Sequence, residues 1–344
     1  MAHGLEYRNG RFSFAYRGEG GWHGLGTDAS NMSQDEFFDA AGFGYTVVKI
    51  PALGVFGAEL AETEYFFTAR TDNRHVFCPV TKQYKPVQPD EVKQWMLGFS
   101  EVDSRFVIDA AGVLDHGGRL WATARFENDK LIAGDRHRCY VLMSTSFDST
   151  QATRNEATFV RTVCKNTLRA AHMGNKAVVK TRHSTRFDGA QVARDLADVL
   201  QSFEAYKVMG DALAQVNMSR DEVLRFFGAV LDIPEGAKRG DRDTASTRKW
   251  NQMDDLISAF GTTMRERNTS QGDAFTALNA VTRYVDHDRS VRGAGEDGSA
   301  DTLSALRFDS ATFGSGDLLK GKALGLLLPM IDLKGRDKVL IPAA

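Results

Sequence analysis

The spacing of the apolar residues changes near Asp188, and this change constrains the fold of the chain more than any other feature. Before Asp188, short apolar runs alternate with polar positions and are bounded by Gly, Pro and Asn, which is typical of β-strands. After it, Val192, Leu196, Val199 and Phe203 recur at spacings close to one helical turn. The sequence therefore predicts a sheet followed by helices.

The chain is long enough for two structural regions, since its 344 residues exceed the ~150 residues of a usual domain. We predict an α+β fold, with an antiparallel sheet domain and short helices over residues 1–187 and a mostly helical region over residues 188–344. A polar loop is expected at residues 232–249, where the helical spacing is interrupted.

Turn and capping residues locate individual elements. Asn9-Gly10 is a preferred two-residue hairpin turn, and Ser33 followed by Glu36 is the signature of a helix N-terminus. Pro89 begins another helix. Further along, the run TFVRTVC predicts a strand, KNTLRAAH a short helix and AVVKTRHS another strand.

Composition argues against several classes of protein. No apolar run approaches the ~20 residues that span a bilayer, and MAHGLEYRNG lacks the apolar stretch of a signal peptide, so we expect a cytoplasmic protein with no membrane partner. Cys78, Cys139 and Cys164 leave one cysteine unpaired in any disulfide scheme and indicate buried thiols. The Gly-rich GEGGWHGLG lacks the Walker phosphate-binding pattern, and no cofactor is predicted.

One segment is strongly basic, although the whole chain has a formal net charge of -2. Between Gln151 and Arg186 the only acidic residue is Glu156. The eight cations of this segment are Arg154, Arg161, Lys165, Arg169, Lys176, Lys180, Arg182 and Arg186. Such a cluster suits a phosphate backbone, but pairing with the acidic helices of the same chain would explain it equally well.

Neutral and aromatic side chains could complete a nucleic-acid site. Asn166 lies within the basic segment and could bond a phosphate or a base edge. Tyr84, flanked by Lys82 and Lys85, is a candidate ring for stacking on a base. We therefore predict that Asn166, Tyr84 and Lys85 contact nucleic acid together with the eight cations.

Five motifs occur in order along the chain: WHGLG (22–26), YKPVQP (84–89), VCKNTL (163–168), NAVTRYVDHDRS (279–290) and FGSGDLLKGKAL (313–324). Together they resemble the phage/plasmid-related protein family, whose shared domain is of unknown function. The resemblance implies a bacteriophage, plasmid or prophage context and implies no reaction. The expected antiparallel hairpins crossed by a helix are also similar in architecture to single-strand annealing proteins such as the phage beta recombinase, an analogy that does not establish function.

These features favour a non-enzymatic, homo-oligomeric protein of a phage or plasmid that binds nucleic acid, with single-stranded DNA as the expected partner in recombination or replication. Two alternatives stay open. Asp286, His287 and Asp288 could serve a metal-dependent phosphodiesterase, although no further His and Asp ligands stand out at helical positions. The chain could also be an anti-defence protein that binds a host protein.

Overall fold

The structure is a computed structural model that describes residues 5–8, 10–18, 25–161, 166–169, 178–181, 189–241, 243–290 and 300–331. Its strands are β1 (Tyr7–Arg8), β2 (Arg11–Phe12), β3 (Phe14–Tyr16), β4 (Thr27–Asp28), β5 (Val47–Phe56), β6 (Glu59–Arg70), β7 (Val76–Thr81), β8 (Phe106–Leu114), β9 (Arg119–Ile132), β10 (Asp135–Ser146), β11 (Thr153–Arg161), β12 (Asn166–Arg169) and β13 (Val178–Thr181). Its α-helices are α1 (Gln34–Ala40), α2 (Pro89–Val102), α3 (Gly189–Leu213), α4 (Arg220–Val230), α5 (Thr247–Glu266), α6 (Ala274–Arg283), α7 (Ala300–Phe313) and α8 (Ser315–Leu327). The predicted α+β fold, sheet-rich first and helical afterwards, is confirmed.

The largest sheet is built on an antiparallel meander of β8, β9, β10 and β11. β3 and β4 extend it beyond β8, while β12 and β13 pair one after the other with the far edge of β11. The register places Arg169 opposite Thr158 and Lys180 opposite Arg154. Register matters here because side chains alternate between the two faces of a strand.

Helices cover one face of this sheet. Phe126 of β9 and Phe159 of β11 pack against Phe203 of α3, and the Phe159 ring stacks on Tyr206 with centroids 3.8 Å apart. The buried residues on this face of the sheet belong to one hydrophobic core with those of α2, α3 and α6. Burial of each large apolar side chain contributes roughly 1.5–3 kcal/mol, and this holds the helices on the sheet.

The opposite face of the sheet is covered at one end by α7. Trp121 of β9 lies on that face and packs against Phe308 of α7, with ring centroids 5.2 Å apart. Phe14 of β3 stacks on the same indole at 5.4 Å, and Leu142 of β10 completes the cluster. The C-terminal half therefore contacts both faces of the sheet.

β5, β6 and β7 form a separate antiparallel sheet. β7 pairs with β6 from Tyr65 to Ala69, whereas β5 pairs with β6 as far as Glu59, close to the turn. The distal part of the β5–β6 hairpin is therefore a two-stranded ribbon that extends beyond β7. We call this hairpin, residues 47–70, the arm.

A buried arginine fixes the root of the arm. Arg70 is 1% exposed and donates to Asp72 at 3.0 and 2.8 Å and to the carbonyl oxygen of His116 at 2.8 Å. It also pairs with Glu6, and its guanidinium lies 3.8 Å from the centroid of the Tyr45 ring. These contacts tie the arm to the N-terminal segment and to the turn between β8 and β9.

The local sequence signals are confirmed at two helices and wrong at one. Ser33 and Glu36 form the predicted capping box of α1, and Pro89 is the first residue of α2. The short helix predicted at KNTLRAAH is wrong for the residues that the structure describes, since Asn166–Arg169 is a strand. These four residues pair with the edge of β11, and that pairing outweighs the weak helical preference of so short a segment.

Membrane spans and thiols were also predicted from the sequence. Within the described ranges, no helix has both the length and the apolar character needed to cross a bilayer. Cys139 is buried and Cys78 half-buried, and both are free. Burial raises the pKa of Cys139 to about 12, as expected for an unreactive core thiol. Cys164 lies outside the described residues.

Candidate nucleic-acid interface

Three arginines lie on the sheet face opposite α3, one on each of three neighbouring strands. Arg125 belongs to β9, Arg138 to β10 and Arg154 to β11. Tyr140 of β10 is paired with Arg125 on one side and with Thr158 on the other. Residues an even number apart along a strand share a face, so Arg138 and Arg154 share the face of Arg125. We call this surface the arginine face.

The three arginines are spread along this face. Arg154 is paired with Ser144, which lies six residues from Arg138 on β10, or roughly 20 Å at ~3.3 Å per residue. Each arginine is partly exposed, whereas Glu156 and Thr158 are buried. The surface is therefore a track of separated cations above a buried floor, and α7 covers part of it, since Leu142, between Arg138 and Ser144 on β10, packs in the cluster with Phe308.

An acidic group, Asp109 of β8, lies beside this track. Its carboxylate is 3.6 Å from the Arg125 guanidinium. Burial raises the pKa of Asp109 to about 6, although the charges of Arg125 and Arg138 act in the opposite direction. Ionised Asp109 therefore offsets part of the positive charge, and this offset disappears in mildly acidic solution.

Tyr140 places an aromatic ring among the arginines. Burial raises the pKa of its hydroxyl above the ordinary value, so the group is neutral at physiological pH. Arg138 forms a hydrogen bond with this hydroxyl, and the ring is partly exposed. A ring held in this way is suited to stacking against a base.

The floor of the arginine face is polar. The Ser144 hydroxyl, the Thr158 hydroxyl and the Nε of Arg154 are buried and have no hydrogen-bond partner among the described residues. Buried polar groups are usually bonded in folded proteins. Because these atoms are buried, they lie beneath the surface that a bound strand would contact.

Among the eight predicted cations, the structure places Arg154 on the arginine face. Arg169 and Lys180 occupy the strand positions opposite Thr158 and Arg154, and directly opposed positions in an antiparallel pair share a face. The backbone thus extends the track onto β12 and β13. The side chains of Arg169 and Lys180 lie outside the described part of the chain.

Arg161 and Asn166 are paired with each other at the end of β11. Alternation along β11 gives Arg161 the parity of Phe159, which is buried under α3. Arg169 belongs to a strand and not to the helix predicted at KNTLRAAH. Four of the predicted cations lie outside the described residues: Lys165, Lys176, Arg182 and Arg186.

Tyr84 and Lys85 precede α2 and are not part of the large sheet. The Tyr84 hydroxyl donates to the carbonyl oxygen of Ser146 at 3.5 Å, and burial raises its pKa to about 12. Tyr84 is half-buried, whereas Lys85 is exposed. Their contact with nucleic acid stays a prediction.

Sequence reasoning missed Arg125, Arg138 and Asp109. They lie in β9, β10 and β8, and the alternation of side chains within each strand was the available signal. That signal shows which residues of one strand share a face. It does not give the register that aligns β9 with β10 and β11, and a slip of one residue would reverse the face.

Asp286, His287 and Asp288, the residues of the phosphodiesterase alternative, lie in one π-helical turn that contacts α8. Asp286 lies 2.5 Å from the ammonium of Lys320, and both side chains are 1% exposed. His287 is half-buried and Asp288 exposed in the same π-helical turn. Among the residues that the structure describes, no group of three or more His, Cys, Asp or Glu side chains is arranged to hold a metal ion. The ion pair of Asp286 with Lys320 therefore connects this turn to α8.

A family model covers the strands of the arginine face. It is described as a domain of unknown function, DUF932, and matches residues 77–306. The matched range contains β8 to β11 and ends within α7, while the arm precedes it. No curated protein and no solved structure matches the chain significantly.

Proposed function

Since the chain belongs to this DUF932 family of unknown function, we propose its function from the arginine face: non-enzymatic binding of nucleic acid, with single-stranded DNA as the preferred ligand. The observation that supports the proposal is the alignment of Arg125, Arg138 and Arg154 on one face of three adjacent strands. Guanidinium groups donate in a geometry that matches phosphate oxygens. Each can therefore hold one phosphate of a bound strand.

The spacing of the arginines favours a polymer over a small anion. A compact ligand would need cations that converge on one point, whereas Arg138 and Arg154 are separated by roughly 20 Å along the sheet. Separated cations suit the regular phosphates of an extended backbone. Arg169 and Lys180 would continue the same track at the edge of the sheet.

The shape of the face favours a single strand over a duplex. Reading a duplex requires a helix or a ribbon that enters a groove, whereas sheet surfaces commonly bind unpaired bases by stacking. Tyr140 lies between Arg125 and Thr158 in the strand register and supplies such a ring. Base stacking on an aromatic side chain contributes ~1–3 kcal/mol per base.

The resemblance to phage/plasmid-related proteins supports a biological setting for this activity. We propose that the protein acts on single-stranded DNA during replication or recombination of a mobile element, including annealing of complementary strands. This finer proposal depends on the five sequence motifs and on the arginine face together.

Replacing the three arginines tests the proposal. The triple variant Arg125→Gln, Arg138→Gln and Arg154→Gln should bind a fluorescent single-stranded oligonucleotide at least tenfold more weakly than the parent, because lost phosphate contacts remove most of a salt-dependent affinity. Anisotropy titration measures the affinity, and an equivalent duplex should bind the parent less tightly.

A matched variant controls for total charge. Arg220, Arg225 and Arg265 are exposed on α4 and α5, so replacing these three with Gln removes the same charge far along the chain from the arginine face. This control should bind as the parent does. Equal losses in both triple variants, or no loss in the first, would show that the arginine face is not the site.

A further inference from the structure

Exposed apolar side chains are concentrated on the arm. Within the described chain, fifteen large apolar residues are exposed, and eight of them lie on the arm or on the first residue of β7. They are Val48, Ile50, Leu53, Val55, Phe56, Leu60, Tyr65 and Val76. Phe56, near the tip, is 72% exposed. Scattered exposed apolar residues need no explanation, but a contiguous group marks an interaction site.

The strand register assigns five of these residues to one face. Val48, Ile50 and Phe56 of β5 are opposite Ala69, Phe67 and Glu59 of β6, which have the parity of Tyr65. Val76 of β7 is opposite Ala69 and joins the same side. We call Val48, Ile50, Phe56, Tyr65 and Val76 the apolar arm face.

The apolar arm face points away from the body of the molecule at its root. Thr68, on the other side of β6, donates to the carbonyl oxygen of Phe147 at 2.8 Å, and Arg70 is buried on that side. Near the tip, a Cβ on Gly54 would lie 3.4 Å from the Phe56 ring, so the ring lies beside Gly54. By alternation along β5 the outward face runs from root to tip, across a register irregularity between Pro51 and Leu53.

Charge is distributed unevenly along this face. From residue 50 to residue 69 the arm contains Glu59, Glu62 and Glu64 and no Lys or Arg. Glu62 and Glu64 have the opposite parity to Tyr65, so Glu59 at the tip is the acid of the apolar arm face. At the root, Arg74 is exposed in the turn that leads to Val76.

We propose that a second copy of this chain covers the apolar arm face, with the two arms packed antiparallel about a two-fold axis. In this arrangement the tip of each arm lies over the root of the other. Phe56 then packs on the second copy's Val48 and Val76, and Glu59 faces the second copy's Arg74. A two-fold axis forms each contact twice.

The exposed area fits such a dimer. Taking ~200 Å² for a fully exposed large side chain, the five residues expose roughly 500 Å² of surface. Because interfaces are only about 60% apolar, this corresponds to ~800 Å² per partner, the size of a standard stable interface. A parallel arrangement would instead bring the two Glu59 carboxylates together.

Contacts at the root hold the arm in a fixed position. Arg70 is held by Glu6, Asp72 and the His116 carbonyl, and the Tyr45 hydroxyl donates to the carbonyl oxygen of Gly117 at 2.8 Å. A rigid binding element loses less conformational entropy on association. The dimer is independent of nucleic-acid binding, since the apolar arm face and the arginine face belong to different sheets.

Oligomeric state in solution tests the proposal. Sedimentation equilibrium of the full chain should show a dimer, and Phe56→Glu should shift it to monomer without a change in melting temperature. Leu131→Glu is the matched control, because Leu131 is 63% exposed on β9, away from the arm, and it should stay a dimer. A monomeric parent at high micromolar concentration, or a dimeric Phe56→Glu variant, would overturn the proposal.

A charge exchange tests the antiparallel arrangement. Glu59→Arg and Arg74→Glu should each weaken dimerisation at low salt by several-fold, because each places like charges at both ends of the interface. Combining the two should restore the affinity, since the pair is then reversed in sign. Failure of the combined variant to recover would overturn the tip-to-root arrangement.

Discussion

Asp109 controls the charge beside Arg125, and its ionisation falls within an accessible pH range. Burial raises its pKa to about 6, compared with ~3.9 in an unfolded chain. The folded state therefore binds this proton more tightly than the unfolded state, and the stability it contributes is present below pH ~4 and is lost as pH rises through about 6. Above that range the ionised carboxylate weakens the attraction of the arginine face for phosphate.

Replacing Asp109 with Asn should make nucleic-acid binding tighter and less sensitive to pH. At pH 7.5 we expect roughly threefold to tenfold tighter binding of a single-stranded oligonucleotide, equivalent to about 1 kcal/mol for one removed charge at a partly exposed site. In the parent, affinity should rise as pH falls through about 6. Anisotropy titrations across this range measure both effects.

The comparison of the two pH profiles separates the effect of Asp109 from that of the histidines, because both proteins contain the same histidines. Asp221→Asn, an exposed change on α4, controls for the loss of one negative charge. Parallel profiles for the parent and Asp109→Asn would show that this carboxylate does not govern binding.

Among the secondary-structure elements, the π-helical turn Tyr284–Asp288 depends on α8. The Asp286 carboxylate and the Lys320 ammonium are 2.5 Å apart, with both side chains 1% exposed. Each charge is tolerated in the core because the other is present, since an unpaired buried ion loses its hydration without compensation. This pair gives Asp286 a structural role in the packing of α8.

Lys320→Met should therefore destabilise the protein by about 3–5 kcal/mol, because it removes the buried ammonium that offsets the Asp286 charge. The double variant Lys320→Met with Asp286→Leu should recover most of this loss, since no charge then stays buried. Denaturant unfolding measures the difference. If the single variant were as stable as the parent, the ion pair would not support the packing of α8.

Elements with local signals could be predicted from the sequence, and elements that depend on distant partners could not. Ser33 with Glu36 and Pro89 mark helix starts because their effect acts within a few residues. β12 was predicted as a helix because its pairing with β11 cannot be seen in a four-residue segment. Arg125 and Arg138 were missed for the same reason, since cross-strand register brings them together.

At the scale of the whole molecule, the near-neutral charge means that attraction for a polyanion must be local. The chain has a formal net charge of -2, so long-range steering contributes little to association. Arg125, Arg138 and Arg154 place positive charge on one face of the large sheet. The strand positions of Arg169 and Lys180 lie at the edge of the same sheet. The exposed apolar surface lies on another sheet, so the fold separates the proposed nucleic-acid and dimer contacts.

The salt dependence of binding should report how many of these cations contact phosphate. For a single strand, each neutralised phosphate contributes a slope of about -0.7 to the plot of log affinity against log salt. Arg125, Arg138 and Arg154 alone predict a slope of about -2, which is roughly a twentyfold loss between 50 and 200 mM salt. If Arg169 and Lys180 also bind, the slope becomes about -3.5 and the loss roughly a hundredfold. Titrations of the parent and of the Arg125, Arg138 and Arg154 triple variant measure the difference, which should be about 2 in slope. A parent whose affinity stays constant across this range of salt would not bind through phosphates at all.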